Sequence, residues 1–295
     1  MARLFCGIFL IILALPGPVT AEISPESVSV PAAASSGATQ FPPRYSLRER
    51  RFSLRERPHR VELAVVDDLE SPLFSLNDLR RFRAAANSDL LEIGEEFSRI
   101  FRYRLRQRLT LRVLSPAQYA VEVGNAKWTN AMFAGGVITV PIRGVSTRKL
   151  ASLRRSLRHE YVHAVLFELS GGRAPAWLEE GVAQLLEGPP NPTLGEALHA
   201  RLDGRGAFAL EQLDHGFVGF DPDEVTAAYA QSLFAVRSLI NRFGFSAMRC
   251  YLERLNQRSD SEHAFAQCYR MSPSTFQSNL TEQLDVWRRA GRELP

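Results

Sequence analysis

The spacing of apolar positions changes period part-way along the chain. Val61-Glu-Leu-Ala-Val-Val66 and Leu109-Thr-Leu-Arg-Val-Leu114 have the apolar, β-branched character of strands, the second by alternation. Between them Leu79, Phe82, Leu90, Leu91, Ile93, Phe97, Ile100 and Phe101 recur at helical spacing, with arginines on the wet side. That stripe predicts a helix or helix pair from a Ser75 cap to about Arg108. Ser115-Pro116 starts a short helical piece, and 130–141 reads as a hairpin bending at Gly135-Gly136 and ended by Pro141. From Ser146 onward the period is helical almost throughout. A helix capped by Ser146 or Thr147 runs to Leu169 and stops at Gly171-Gly172. Helices follow over 176–186, 194–202, 224–243, 246–257, 260–268 and 273–290, with a short turn at 210–213. The expectation is an α+β fold: a mixed sheet with helices in the N-terminal half and a helical C-terminal half.

The helix at 146–169 is apolar nearly all round, with Leu150, Leu153, Leu157, Ala164 and Phe167 on one side and Val162, Val165, Leu166 and Leu169 on another. Within it stands His159-Glu160-Tyr161-Val162-His163, an H-E-x-x-H pattern. Residues four apart share a helix face, so both imidazoles can reach one tetrahedral Zn²⁺, with Glu160 beside them to take a proton from water. Polar groups on a buried helix are costly unless metal or hydrogen bonds satisfy them. Two surface histidines beside a solvated glutamate would give the same letters.

Downstream, Pro175-Ala-Trp-Leu-Glu-Glu-Gly-Val-Ala183 reads as the start of a second helix, whose first-turn carboxylates can turn back toward the first. H-E-x-x-H followed at this distance by W-L-x-E-G-x-A resembles the gluzincin branch of zinc metallopeptidases, and within it the peptidase MA-like proteins. The resemblance implies a zincin, thermolysin-like fold, one Zn²⁺ held by His159, His163 and Glu180, and peptide-bond hydrolysis with Glu160 as general base. It also implies that the strand at 132–140 borders the cleft and pairs with an extended substrate. The G-A-M-E-N signature of the aminopeptidases is missing, so trimming from the amino terminus is not carried over. Tyr229, in Tyr-Ala-Gln-Ser232, resembles the family's Tyr-x-Gln-Ser and is the candidate partner for the developing oxyanion; a core tyrosine is the competing reading. Gln184, one turn beyond Glu180, is a candidate to support that carboxylate, and Ser232, His199 and His215 are weaker candidates for the chemistry. A zincin-fold binding or scaffold protein of the cell envelope that cleaves nothing is the alternative function.

Composition refines this picture mainly at the N-terminus. Arg3 and the apolar run Leu4–Leu15, followed by Val19-Thr-Ala21, predict a signal peptide cleaved after Ala21 and a product exported to the periplasm or beyond. The run is too short to span a bilayer, and no other stretch is apolar enough to do so. Residues 22–60 read as a disordered linker, Ser/Ala/Pro/Gly-rich and then Arg-rich, before a peptidase domain over 61–295 with lobes 61–170 and 171–295. The linker holds a tandem repeat, Arg44-Tyr-Ser-Leu-Arg-Glu-Arg50 and Arg51-Phe-Ser-Leu-Arg-Glu-Arg57. Eight of the 36 cationic and four of the 32 acidic residues precede Val61, so beyond it the two signs balance at 28 each. The net charge of +4 is therefore a property of the tail and does not point to nucleic acid; the arm 44–60 offers at most weak contact with anionic envelope surfaces. A peptide or protein is the expected partner. After signal cleavage Cys250 and Cys268 remain, an even count that permits one disulfide in an oxidising compartment.

Overall fold

The computed structural model describes residues 47–54, 61–68, 72–123, 131–189, 191–217 and 219–290. The expected signal peptide lies outside these residues, as does most of the expected linker. Among them the fold is mixed α+β and mostly helical. Five strands, β1 (Leu47–Leu54), β2 (Val61–Asp68), β3 (Leu109–Leu114), β4 (Met132–Ala134) and β5 (Val137–Pro141), form one sheet in the order β1-β2-β3-β5-β4. β2, β3 and β5 run parallel, while β1 and β4 close the two edges antiparallel. Parallel neighbours need helical crossovers, and α1 (Leu76–Ile100) and α2 (Pro116–Val123) occupy the chain between them.

Strand β1 corrects the expectation of a disordered linker up to residue 60. Its backbone pairs along all of β2, from Leu47 opposite Asp68 to Leu54 opposite Val61. The physical reason is the edge of β2, whose backbone donors and acceptors would otherwise be left unpaired. The charged composition suits an edge, and Arg51 lies 3.3 Å from Glu62 on the neighbouring strand.

Helix α1 buries Leu79, Phe82, Ala86, Leu90, Ile93 and Phe97, as its stripe predicts, with Ser75 accepting from the Asp78 amide as N-cap. It ends at Ile100 rather than near Arg108. Beyond it Arg102 turns at φ 49°, and the Glu168 carboxylate accepts the Tyr103 hydroxyl at 2.5 Å and the amides of Arg106 and Gln107 at 2.9 and 3.0 Å. A distant acceptor thus replaces the helical hydrogen bonds of this stretch.

Helix α3 (Thr147–Ser170) is capped by Ser146 and closed by Gly171 in the left-handed conformation. It runs through the middle of the molecule, against α1, β4, β5 and the helical half. That half comprises α4 (Ala176–Leu186), α5 (Thr193–Gly204), a 3₁₀ turn (Leu210–Leu213), α6 (Pro222–Asn256), α7 (Ser261–Tyr269) and α8 (Pro273–Ala290). The two helices expected over 224–257 follow one another without a loop, parted only by Gly244 at φ 72°, ψ 172°. Cys250 on α6 and Cys268 on α7 form a disulfide with Cα atoms 5.8 Å apart. Among the described residues no helix is long and apolar enough to cross a membrane.

Candidate metal centre

The centre is built by two helices with different tasks. α3 supplies His159, Glu160 and His163, exposed by 0, 0 and 1 %, so the apolar surround read from the sequence does seal these polar groups in the core. α4 supplies Glu180, also buried. Its approach depends on Gly181: a β-carbon there would collide with the Ser232 carbonyl and the Val236 side chain of α6. The small residue lets α4 lie against α6 at backbone distance, which fixes how far Glu180 reaches toward α3.

The ligand atoms of His159, His163 and Glu180 all lie within 4.8 Å of one another. Glu180 Oε2 is 3.4 Å from His159 Nε2 and 3.9 Å from His163 Nε2. Those separations are long for hydrogen bonds. They are close to the edge of a coordination tetrahedron, which for metal–ligand bonds of about 2.0–2.1 Å is about 3.3 Å. Two imidazoles and one carboxylate are also the donor set of catalytic zinc sites. On geometry and chemistry the three residues fit a single Zn²⁺.

The electrostatics call for a cation as well. Burial pushes the Glu160 carboxyl up to about 8, against the pull of His159. Burial alone would lower the His159 imidazole, but the Glu180 and Glu187 carboxylates override it and lift it to about 10. Burial and the neighbouring His159 charge push His163 well down. Three carboxylates crowd two imidazoles in the core, so without a metal a proton must supply the missing positive charge.

Glu187 was not expected from the sequence. Its Oε2 lies 2.7 Å from His159 Nδ1, while its other oxygen is ion-paired to Arg155, which also donates to the Pro189 carbonyl at 2.7 Å. A carboxylate can only accept, so Nδ1 carries the proton and Nε2 is left to face the cluster. A signal existed: Glu187 follows Glu180 by seven residues, two helical turns on the same face, and Arg155 precedes His159 by one turn. Gln184, the residue expected to support Glu180, is buried on α4, but it is Glu187 that reaches His159.

The family model of the Peptidase MA superfamily matches residues 105–283, which holds the whole of this centre. The chain belongs to the Peptidase MA superfamily. Similar solved structures include an M1 zinc metallopeptidase from Deinococcus radiodurans, 17% identical with a TM-score of 0.44, covering 84% of this chain and 52% of that one. A mutant of the same enzyme bound to a Tyr-Ser-Ala substrate gives 16% identity, a TM-score of 0.41, and coverage of 84% and 53%. The chain thus spans about half the length of these structures. No curated protein sequence matches it.

The remaining candidates of this peptidase MA protein fall in varied places. Tyr229 is buried on α6 with its ring edge-on to Phe217 at 4.9 Å. Gln231 of the same Tyr-x-Gln-Ser stretch clamps the Phe208 backbone, accepting its amide at 2.8 Å and donating to its carbonyl at 2.7 Å. Ser232 is the buried residue whose carbonyl faces Gly181. His199 bridges α5 and α8, 3.1 Å from both Asp203 and the Arg288 carbonyl, and His215 is exposed; neither belongs to the cluster.

Proposed function

We propose that this chain is an exported zinc-dependent peptidase that hydrolyses peptide bonds with Glu160 as general base. The observation that carries the reading is the buried convergence of His159, His163 and Glu180 within 4.8 Å, with Glu160 on the same helix. The chemistry supplied by zinc at such a site is Lewis acidity toward a peptide carbonyl and toward water.

The chain's own residues do the rest. His159 and His163 present neutral nitrogens, and Glu187 holds the first of them in the required tautomer. Glu160 takes a proton from the attacking water on a carboxylate oxygen and passes it to the leaving nitrogen. The Tyr229 hydroxyl is the proposed donor to the carbonyl oxygen as negative charge develops there. β4 forms one edge of the sheet, and the side of it turned away from β5 would receive an extended peptide by strand addition. Export follows from residues 1–21 read as a signal peptide, and the arginine-rich arm would meet anionic envelope surfaces weakly.

Metal analysis of the purified chain, paired with cleavage of a denatured protein mixture, tests the reading. The wild type is expected to carry one zinc per chain and to cleave. Glu160→Gln is expected to keep the metal and lose about 10²–10⁴-fold in rate. Equal cleavage by both proteins would remove Glu160 from the mechanism.

A further inference from the structure

The peptidase reading leaves open which peptides are taken, and one exposed ring beside the centre bears on that. Among the described residues the exposed large apolar side chains are Leu76, Val121, Phe167 and Val286, and of these Phe167 alone belongs to α3. It is 42 % exposed, although the stretch 159–166 before it is buried throughout. Phe167 follows His163 by four residues and Glu160 by seven, which on an α-helix puts all three within about 60° of one another around the axis. It therefore faces the same space as they do, about 6 Å beyond His163 and about 10 Å beyond Glu160 along the helix.

The ring has a fixed seat. It stands edge-on to Phe133 of β4 with centroids 6.0 Å apart, and a β-carbon at Gly172 would lie 2.7 Å from its Cε2. Phe133 packs one side of it and the Gly172 backbone another, and the rest of its surface meets solvent. Single exposed apolar residues are ordinary on a protein surface; this one differs by that seat and by its place beside the base.

Phe133 also ties the ring to the substrate edge. Its backbone lies close enough to the Glu160 carboxyl to favour the charged form, against the larger effect of burial. Ala134 faces Val137 across the two-residue turn Gly135-Gly136, so the next pair, Phe133 and Ile138, is the one whose N–H and C=O groups point away from each other. At Phe133 they turn off the free edge of the sheet, where an extended peptide would add. Such a peptide advances about 3.3–3.6 Å per residue, so its side chain two or three residues from the scissile bond passes over Phe167. A substrate ring there would take the exposed surface out of water and gain an edge-to-face contact. We infer that Phe167 is a specificity-determining residue, seating an aromatic side chain of the substrate two or three residues from the bond cleaved. The inference rests on the peptidase reading and gives it a substrate class.

Fluorescent peptides with one Phe in an Ala/Ser background, and counterparts with Ala in its place, are titrated against the zinc-loaded Glu160→Gln protein. Cleavage of the same peptides by the wild type is read in parallel, and the product masses locate the cut. The Phe peptides are expected to bind about tenfold tighter than their counterparts, with the cut two or three residues from the ring. Phe167→Ser in the Glu160→Gln background is expected to bring the two within about twofold of each other. Phe167→Leu, the milder change, is expected to cut the preference about threefold by removing the ring contact alone. Both variants should still carry one zinc per chain, since the ring supplies no ligand. Equal or unmeasurable binding across the series, a preference that neither substitution reduces, or cuts that fall elsewhere relative to Phe overturns the assignment. Cleavage without a Phe preference sinks only the role of Phe167, whereas a Phe preference without cleavage sinks only the hydrolase.

Discussion

Glu187 accepts the hydrogen bond of His159 Nδ1, 2.7 Å away, and is itself held by Arg155, so the orientation of one metal-facing imidazole is set from the far end of α4. His159 is fully buried, Glu187 is only 3 % exposed, and Arg155 is half-buried. Glu187→Gln keeps the shape but removes the charge that makes Nδ1–H the favoured tautomer. Zinc affinity, measured by competition with a fluorescent chelator, is expected to fall about 10- to 100-fold while the circular dichroism spectrum is unchanged. Unaltered affinity would show that the contact orients nothing.

Gly181 makes a separate prediction, because a β-carbon there would collide with the Ser232 carbonyl. Gly181→Ala must force α4 away from α6 and carry Glu180 with it. Overpacking of this kind costs about 1–3 kcal/mol, to be read from urea denaturation, and the zinc content should fall with it. Gly204→Ala is the control: a β-carbon there meets nothing within 4 Å at the end of α5 and should stay within about 0.5 kcal/mol of wild type. Equal stability of the two variants would contradict the close packing of α4 on α6.

These residues also show what the sequence could disclose. The bounds of α4, Ala176–Leu186, follow from Pro175 and the apolar run, and those of α3 from Ser146 and Gly171, because caps and breakers act locally. The H-E-x-x-H spacing is equally local, since one helix fixes both imidazoles. What the sequence concealed depends on partners far along the chain. β1 is charged and looks like linker, yet it pairs because β2 has an open edge. The stretch after Ile100 keeps its helical letters but yields to the Glu168 carboxylate, more than 60 residues away. Glu187 could be placed on the face of Glu180 by counting turns, but only the crossing of α3 and α4 brings it to His159.

Zinc uptake should depend steeply on pH. With no metal, burial would lower His159, but Glu180 and Glu187 raise it to about 10, so at neutral pH the imidazole carries a proton that zinc must displace. The sign follows: affinity rises with pH below about 10 and levels off above it. The expected slope is about tenfold per pH unit for each proton released, read by chelator competition between pH 6 and 9. A flat profile would mean that the carboxylates do not hold a proton on His159.

The contact of Tyr103 with Glu168 predicts an alkaline effect far from the metal. Burial and then the hydrogen bond to Glu168 push the Tyr103 phenol up to about 12. The unfolded chain releases this proton near the ordinary tyrosine value of about 10, while the folded chain keeps it. Stability from this contact is therefore fully present below about pH 10 and is lost as pH climbs toward 12. Tyr103→Phe keeps the ring beneath Arg106 but removes the 2.5 Å hydrogen bond, costing about 1–2 kcal/mol at neutral pH for a partly buried bond to a charged acceptor. Other tyrosines titrate alike in both proteins and cancel in the difference. Urea denaturation at pH 7, 9 and 11 should show a constant gap between wild type and variant at the first two values and a smaller one at the third. A gap that stays constant through pH 11 would show that the phenol proton does not tie the loop after α1 to α3.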